Sequence, residues 1–315
     1  MKISSLQRQA GTIVAFLFLL AGCSGGYKNS GYTGTGALTV RITDAPMVNA
    51  EHVYIQFSGL EIQSASGMRT ALYYCQDPAN PMLTIVSATA CSTPAAPKQI
   101  DLLALSGGQS DLLLNGFVLP AGPYSWIRLM VDTAGILDSY VVILGGAEHE
   151  LTIPSGDETG LKLNHGIVVP AGGSAAFTID FDLRKSVHVT GTGEYILRPT
   201  LRLVNNALVG AIAGTVSTAL VPAGCTPAVY VFTGAGVTPD DIDGTPADPV
   251  STAIVTLDSG SGLYRYKAAF LEAGSYTVAY TCQAAIDDPA ISNTLTFAGT
   301  ATVPVTAYTI TTHNF

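Results

Sequence analysis

Beyond residue 23, no stretch of twelve or more residues holds its apolar positions at a 3.6-residue period; the runs alternate instead. Leu38, Val40 and Ile42 alternate with Thr39, Arg41 and Thr43, and Val53, Ile55 and Phe57 alternate with His52, Tyr54 and Gln56. The same period of two recurs in residues 125–131, 177–183 and 197–203. A β-strand turns successive side chains to opposite faces, so such runs describe strands with one face in a core and the other toward water. Thr, Val and Tyr are plentiful, and 33 Gly with 17 Pro punctuate the runs. The fold expected is all-β, with two antiparallel β-sandwich-like domains.

One turn phrase recurs: Leu119-Pro-Ala-Gly, Val169-Pro-Ala-Gly, Val221-Pro-Ala-Gly and Leu271-Glu-Ala-Gly, each leading into a strand-like run. Two of the four continue as Gly-x-Tyr, at Gly122 to Tyr124 and Gly274 to Tyr276. Pro presets φ at a turn's second position and Gly supplies a positive φ after it. The residues between the phrases do not match, so shared turn chemistry explains them better than a 50-residue repeat. The domain break is placed near Asn205-Asn206. Residues 37–205 form a β-rich domain and residues 206–315 a smaller sandwich, each long enough to bury a core.

The first 36 residues carry an address. Lys2 and Arg8 precede an apolar run at 11–20, too short for the ~20 residues that span a bilayer, so residues 1–22 read as a secretory signal peptide. Leu20-Ala21-Gly22-Cys23 resembles a bacterial lipobox. That resemblance implies cleavage before Cys23 and a lipid anchor on it; stable anchoring takes more than one acyl chain. Residues 23–36 are rich in Gly, Ser and Thr and read as a lipidated flexible tether. Ser24 after the lipid Cys resembles the outer-membrane sorting pattern, which applies if the host is Gram-negative.

Removing Lys2 and Arg8 leaves 12 basic and 23 acidic residues, 12 − 23 = −11. A chain so acidic lacks the basic stripe that nucleic-acid binding requires, and that class is excluded. The four remaining cysteines fall as Cys75 with Cys91 and Cys225 with Cys282, one pair in each proposed domain. Local disulfides in an exported protein are the economical reading. No CxxC is present and no His lies beside either pair, so a metal site there is disfavoured.

Residues 38–46 (LTVRITDAP), 53–60 (VYIQFSGL), 100–108 (IDLLALSGG), 119–132, 154–163 (PSGDETGLKL), 178–186 (TIDFDLRKS) and 195–203 (YILRPTLRL) occur in a familiar order. Together they resemble the bacterial lipoprotein domain-of-unknown-function family 4382, over residues 37–205. The resemblance implies an exported β-rich domain without an established activity. Through residues 210–216 and 273–280, the second unit resembles transthyretin-like or carboxypeptidase-regulatory-like sandwiches, which implies an accessory or binding module.

Asp180, Asp182 and Arg184 would share one face of an extended strand, opposite Phe177, Ile179, Phe181 and Leu183. Two carboxylates about 7 Å apart on one face could hold a hard cation, Ca²⁺ being the candidate, or act as an acid/base pair. The favoured alternative is a charge network with Arg184, Arg198 and Arg202. Asp44, just before Pro46, joins this cluster if the first and late strands pair. Tyr124 and Trp126, with Arg128, are placed on one strand face as a candidate aromatic platform for glycans or peptides, against a packed role for the same rings. The acidic loop at 239–250 fails the EF-hand pattern: Pro239 stands at the first-ligand position and Val250 at the last. No HExxH and no Gly-x-Ser-x-Gly is present.

The function expected is a non-enzymatic binding or structural module of the cell envelope. Its membrane partner is reached through lipid on Cys23, and an envelope protein or glycan is its further partner. The alternative is a cation-dependent binding protein or hydrolase using Asp180 and Asp182.

Overall fold

A computed structural model describes residues 33–89, 91, 96–154 and 156–315, which form one compact unit. The expected signal peptide, Cys23 and most of the expected tether lie outside the described residues.

In chain order the first half carries β1 (Thr35–Ala45), β2 (Ala50–Ser64), β3 (Arg69–Gln76), β4 (Thr84–Ser87), β5 (Lys98–Asp101), β6 (Asp111–Pro120) and β7 (Gly122–Val131). There follow β8 (Tyr140–Ile143), β9 (Glu148–Thr152), the one-turn α1 (Gly156–Thr159), β10 (Leu161–Leu163), β11 (Ile167–Val169) and β12 (Ser174–Asp182). The half closes with the one-turn α2 (Leu183–Ser186), β13 (Val187–Val189), β14 (Tyr195–Leu197) and β15 (Leu201–Asn205). A four-stranded sheet, β15-β12-β1-β6, faces a larger one running β10-β7-β2-β8-β9-β14-β13, with β3, β5 and β11 paired at its sides and β4 on β3. Most ladders are antiparallel, but β1 and β12 run parallel, with Thr43 opposite Asp180 and Ala45 opposite Asp182.

Alternation explains the core between these sheets. Leu38, Val40, Ile42, Phe177, Ile179 and Phe181 meet Val53, Ile55, Phe57, Leu60, Ile62, Ile127 and Leu129 in one cluster. The phase is not constant along β2, where inward positions change from odd to even after Phe57. A bulge at Ser58, between the Phe57–Val131 and Gly59–Met130 pairs, makes the change. Gly59 is required beside it, because a Cβ there would stand 2.0 Å from the Leu72 carbonyl oxygen.

The second half contains β16 (Val209–Val216), β17 (Ala228–Thr233), β18 (Ser251–Ile254), β19 (Thr256–Asp258), β20 (Leu263–Glu272), β21 (Gly274–Thr281), β22 (Phe297–Val305) and β23 (Ile310–Thr312). They form two four-stranded sheets, β19-β20-β16-β23 and β18-β17-β21-β22. Ile212, Val216, Tyr266 and Leu271 pack against Val229, Val231, Val278 and Tyr280 between them. The run Ala228 to Phe232 does not alternate in burial; all five residues are interior. Its outer face carries a further cluster, Ala228, Tyr230, Phe232, Ile242, Ala279 and Ala284, and Val48 of the first half packs against it. A strand covered on both faces is apolar throughout.

Disulfides join Cys75 to Cys91 and Cys225 to Cys282, with Cα atoms 5.6 and 4.9 Å apart. Such bonds belong to an oxidising, extracytoplasmic compartment.

Candidate functional site

The parallel pairing of β1 with β12 brings Asp44, Asp180 and Asp182 to the same end of the small sheet. Asp44 is buried; its Oδ1 accepts from the Leu183 N–H at 3.3 Å, and its Oδ2 has no hydrogen-bond partner. Burial first, then the neighbouring Asp180 and Asp182 charges, hold the Asp44 carboxyl well above the usual carboxylate range.

Asp180 is held by Arg202, its cross-strand partner on β15. The guanidinium grips one oxygen through Nε, at 3.0 Å, and Nη2. Asp182 serves as the N-cap of α2, accepting from the Lys185 N–H at 3.2 Å, with the Lys185 ammonium 3.8 Å away. Burial pushes the Asp182 carboxyl up to about 6, against the lowering effect of Lys185. No three His, Cys, Asp or Glu side chains among the described residues converge closely enough to hold a metal ion.

Arg184 departs from the expected face. β12 ends at Asp182, and the chain turns into α2, closed by the Ser186 hydroxyl donating to the Asp182 carbonyl at 2.5 Å. This turn carries Arg184 away from the carboxylates and into the second half. There its Nη1 donates to the Tyr230 hydroxyl at 2.7 Å, its Nη2 donates to the Ala284 carbonyl, and Asp287 lies 3.5 Å away. The Tyr230 hydroxyl donates in turn to Asp287, and the guanidinium stands 5.6 Å from the Tyr230 ring centre. Asp287 also accepts from the Ile242 N–H at 3.1 Å. Next in the chain, Lys185 donates to the Pro249 carbonyl at 2.9 Å and pairs with Asp248 at 3.2 Å. Arg198, expected in the network, is exposed on the loop before β15. Tyr230 and Asp287 gave no sign of this role: one sits in an apolar run, the other in a polar loop.

The aromatic platform is also divided. Ser125 is an extra residue in β7, between the Ser64–Tyr124 and Gln63–Trp126 pairs. The bulge turns Tyr124 into the core, where its hydroxyl donates to the Pro120 carbonyl at 2.8 Å. Trp126 lies on the opposite face with Arg128. It is only 7% exposed, because Lys162, Arg69 and Arg128 surround its ring at 4.7, 5.5 and 5.6 Å. Arg128 is paired with Glu61 across β2. The corresponding Gly-x-Tyr of the second half repeats the first hydrogen bond, Tyr276 donating to the Glu272 carbonyl at 2.8 Å.

A family model described as a domain of unknown function, DUF4382, matches residues 35–199. Among curated proteins no match is found. Among solved structures, the Bacillus anthracis TIE protein is similar at 11% identity and a TM-score of 0.20, over 90% of this chain and 33% of its own. A leucine-rich repeat protein from Bacteroides thetaiotaomicron is similar at 13% identity and a TM-score of 0.19, over 90% of this chain and 26% of its own. GBS52, the minor pilin of Streptococcus agalactiae, is similar at 9% identity and a TM-score of 0.20, over 90% of this chain and 94% of its own. The chain spans about a third and a quarter of the first two proteins. Likeness this low carries no inference about role.

Proposed function

The chain belongs to the DUF4382 family through residues 35–199, and on that premise we propose that it is a non-enzymatic binding or structural module of the cell envelope, anchored by lipid on Cys23. The observation that carries this reading is where the charged residues are spent. Asp180 is bound to Arg202, Asp182 caps a helix, and Arg184 and Lys185 reach into the second half. Charges committed to internal partners hold a shape; a hydrolytic pair needs carboxylates free to exchange protons with a substrate. Cation-dependent chemistry at Asp180 and Asp182 therefore draws no support from this arrangement.

Residues 20–23, Leu-Ala-Gly-Cys, support the anchor, and Ser24 supports outer-membrane sorting in a Gram-negative host. Labelled palmitate supplied to cells expressing the full chain tests the anchor. Label is expected in the wild type and absent from Cys23→Ala, which stays unprocessed or leaves the membrane fraction. Equal labelling of both, or of neither, would overturn it.

A further inference from the structure

The end of the first half where the chain emerges from the tether has a distinctive charge pattern. Thr35 begins β1 there, and the Gly34 carbonyl accepts from the Ala121 N–H at 3.0 Å in the β6–β7 turn. The β2–β3 turn lies beside it, with the Ala65 N–H donating to the Pro123 carbonyl at 2.9 Å; so does the β11–β12 turn, with the Gly172 N–H donating to the Thr35 carbonyl at 2.8 Å. The four segments that pass through this end, residues 33–43, 62–76, 112–131 and 159–179, contain no Asp or Glu. Their charged residues are Arg41, which lies toward the other end of β1 beside Ser110, and Arg69, Arg128 and Lys162. Three of these four cations gather on Trp126. Glu61 takes the Arg128 guanidinium, leaving Arg69 and Lys162 as exposed charges fixed over a rigid ring. Met68, Val118 and Val168 stand exposed around the same turns.

We infer that this face is a docking surface for the phosphate headgroups of an anionic bilayer, making a second membrane contact besides the lipid. The inference rests on the anchor at Cys23 proposed above. Thr33 lies ten positions after Cys23, at most about 35 Å of extended chain, so the anchor keeps this end near the bilayer surface. The remainder of the protein is strongly acidic and is repelled by an anionic membrane, while this end is attracted. Charge thus orients the molecule with the Trp126 face down and the second half outward.

The test uses residues 33–315, the compact unit, without Cys23, so that binding does not depend on the anchor. Vesicles of pure phosphatidylcholine and vesicles containing phosphatidylglycerol are titrated at low salt. Co-sedimentation and Trp126 emission are followed. Binding is expected only with the anionic vesicles and should weaken with added salt. Each cation near such a surface is worth about fivefold in partition, so R69Q/K162Q should bind about 25-fold more weakly. R265Q, which removes an exposed cation of the second half, should bind as the wild type does. Equal affinity for both vesicles, no binding, or unchanged binding by R69Q/K162Q would overturn the surface. Retention on an immobilised acidic polysaccharide without vesicle preference would overturn it in favour of a glycan. Failure of palmitate labelling at Cys23, with the vesicle preference intact, would overturn the anchor alone.

Discussion

Arg184, in the first half, donates a hydrogen bond of 2.7 Å to the hydroxyl of Tyr230, in the second, with both side chains buried. Asp287 completes the group at 3.5 Å from the guanidinium. Each member satisfies another: the guanidinium finds an acceptor, a carbonyl and a carboxylate, and the carboxylate finds a hydroxyl and an N–H. Replacing one partner of a buried ion pair leaves an uncompensated charge, which costs about 3–5 kcal/mol. Arg184→Ala is therefore expected to lower unfolding stability by that amount in a denaturant titration. A loss below about 1 kcal/mol would mean that water replaces the guanidinium freely.

Asp182 gives the protein a pH dependence with a definite sign. Its folded pKa, about 6, lies above the ordinary value because of burial, while the unfolded chain ionises near pH 4. Between these values the folded state holds a proton the unfolded state has lost, so this group's contribution to stability falls as pH rises from about 4 to about 6 and is constant above. The change amounts to about 3 kcal/mol, and Asp44 acts in the same direction. Asp182→Asn, which retains N-capping ability, should flatten the slope in urea titrations across that range. An unaltered slope would assign the pH dependence elsewhere.

The two disulfides should differ in worth. In the chain-entropy account, closing the 57-residue separation of Cys225 and Cys282 contributes about 4 kcal/mol, and the 16-residue separation of Cys75 and Cys91 about 3 kcal/mol. Paired Cys→Ser replacements measured by thermal unfolding should rank in that order. The reverse order would show that local geometry outweighs loop length.

The paired Gly-x-Tyr turns predict equal, modest effects. Tyr124→Phe and Tyr276→Phe each remove one hydroxyl-to-carbonyl bond of 2.8 Å. Each should cost about 1 kcal/mol in stability. A cost near zero for both would show that water serves those carbonyls equally well.

Strands were legible wherever a half-buried surface wrote alternation into the sequence, as in residues 38–43 and 52–57. The pairing of the first strand with Ser174–Asp182 was legible only as a condition, since register depends on residues far apart. Ser58 and Ser125 could not be read as bulges, because a bulge is defined by the partner strand's backbone; the second of them separated Tyr124 from Trp126. Arg184 was misplaced because extended alternation was continued past Asp182, where side-chain capping turns the chain into a helix. The run Ala228 to Phe232 announced a strand buried on both faces, but nothing in it showed that a guanidinium would lie under Tyr230.

The central claim is that the two halves work as one body, joined through Arg184. Trp126, the sole tryptophan, reports on the first half alone, and far-ultraviolet circular dichroism reports on both. Thermal unfolding of residues 33–315 followed by both signals should give coincident transitions in the wild type. In Arg184→Ala the two curves should separate. Distinct transitions already present in the wild type would contradict the claim.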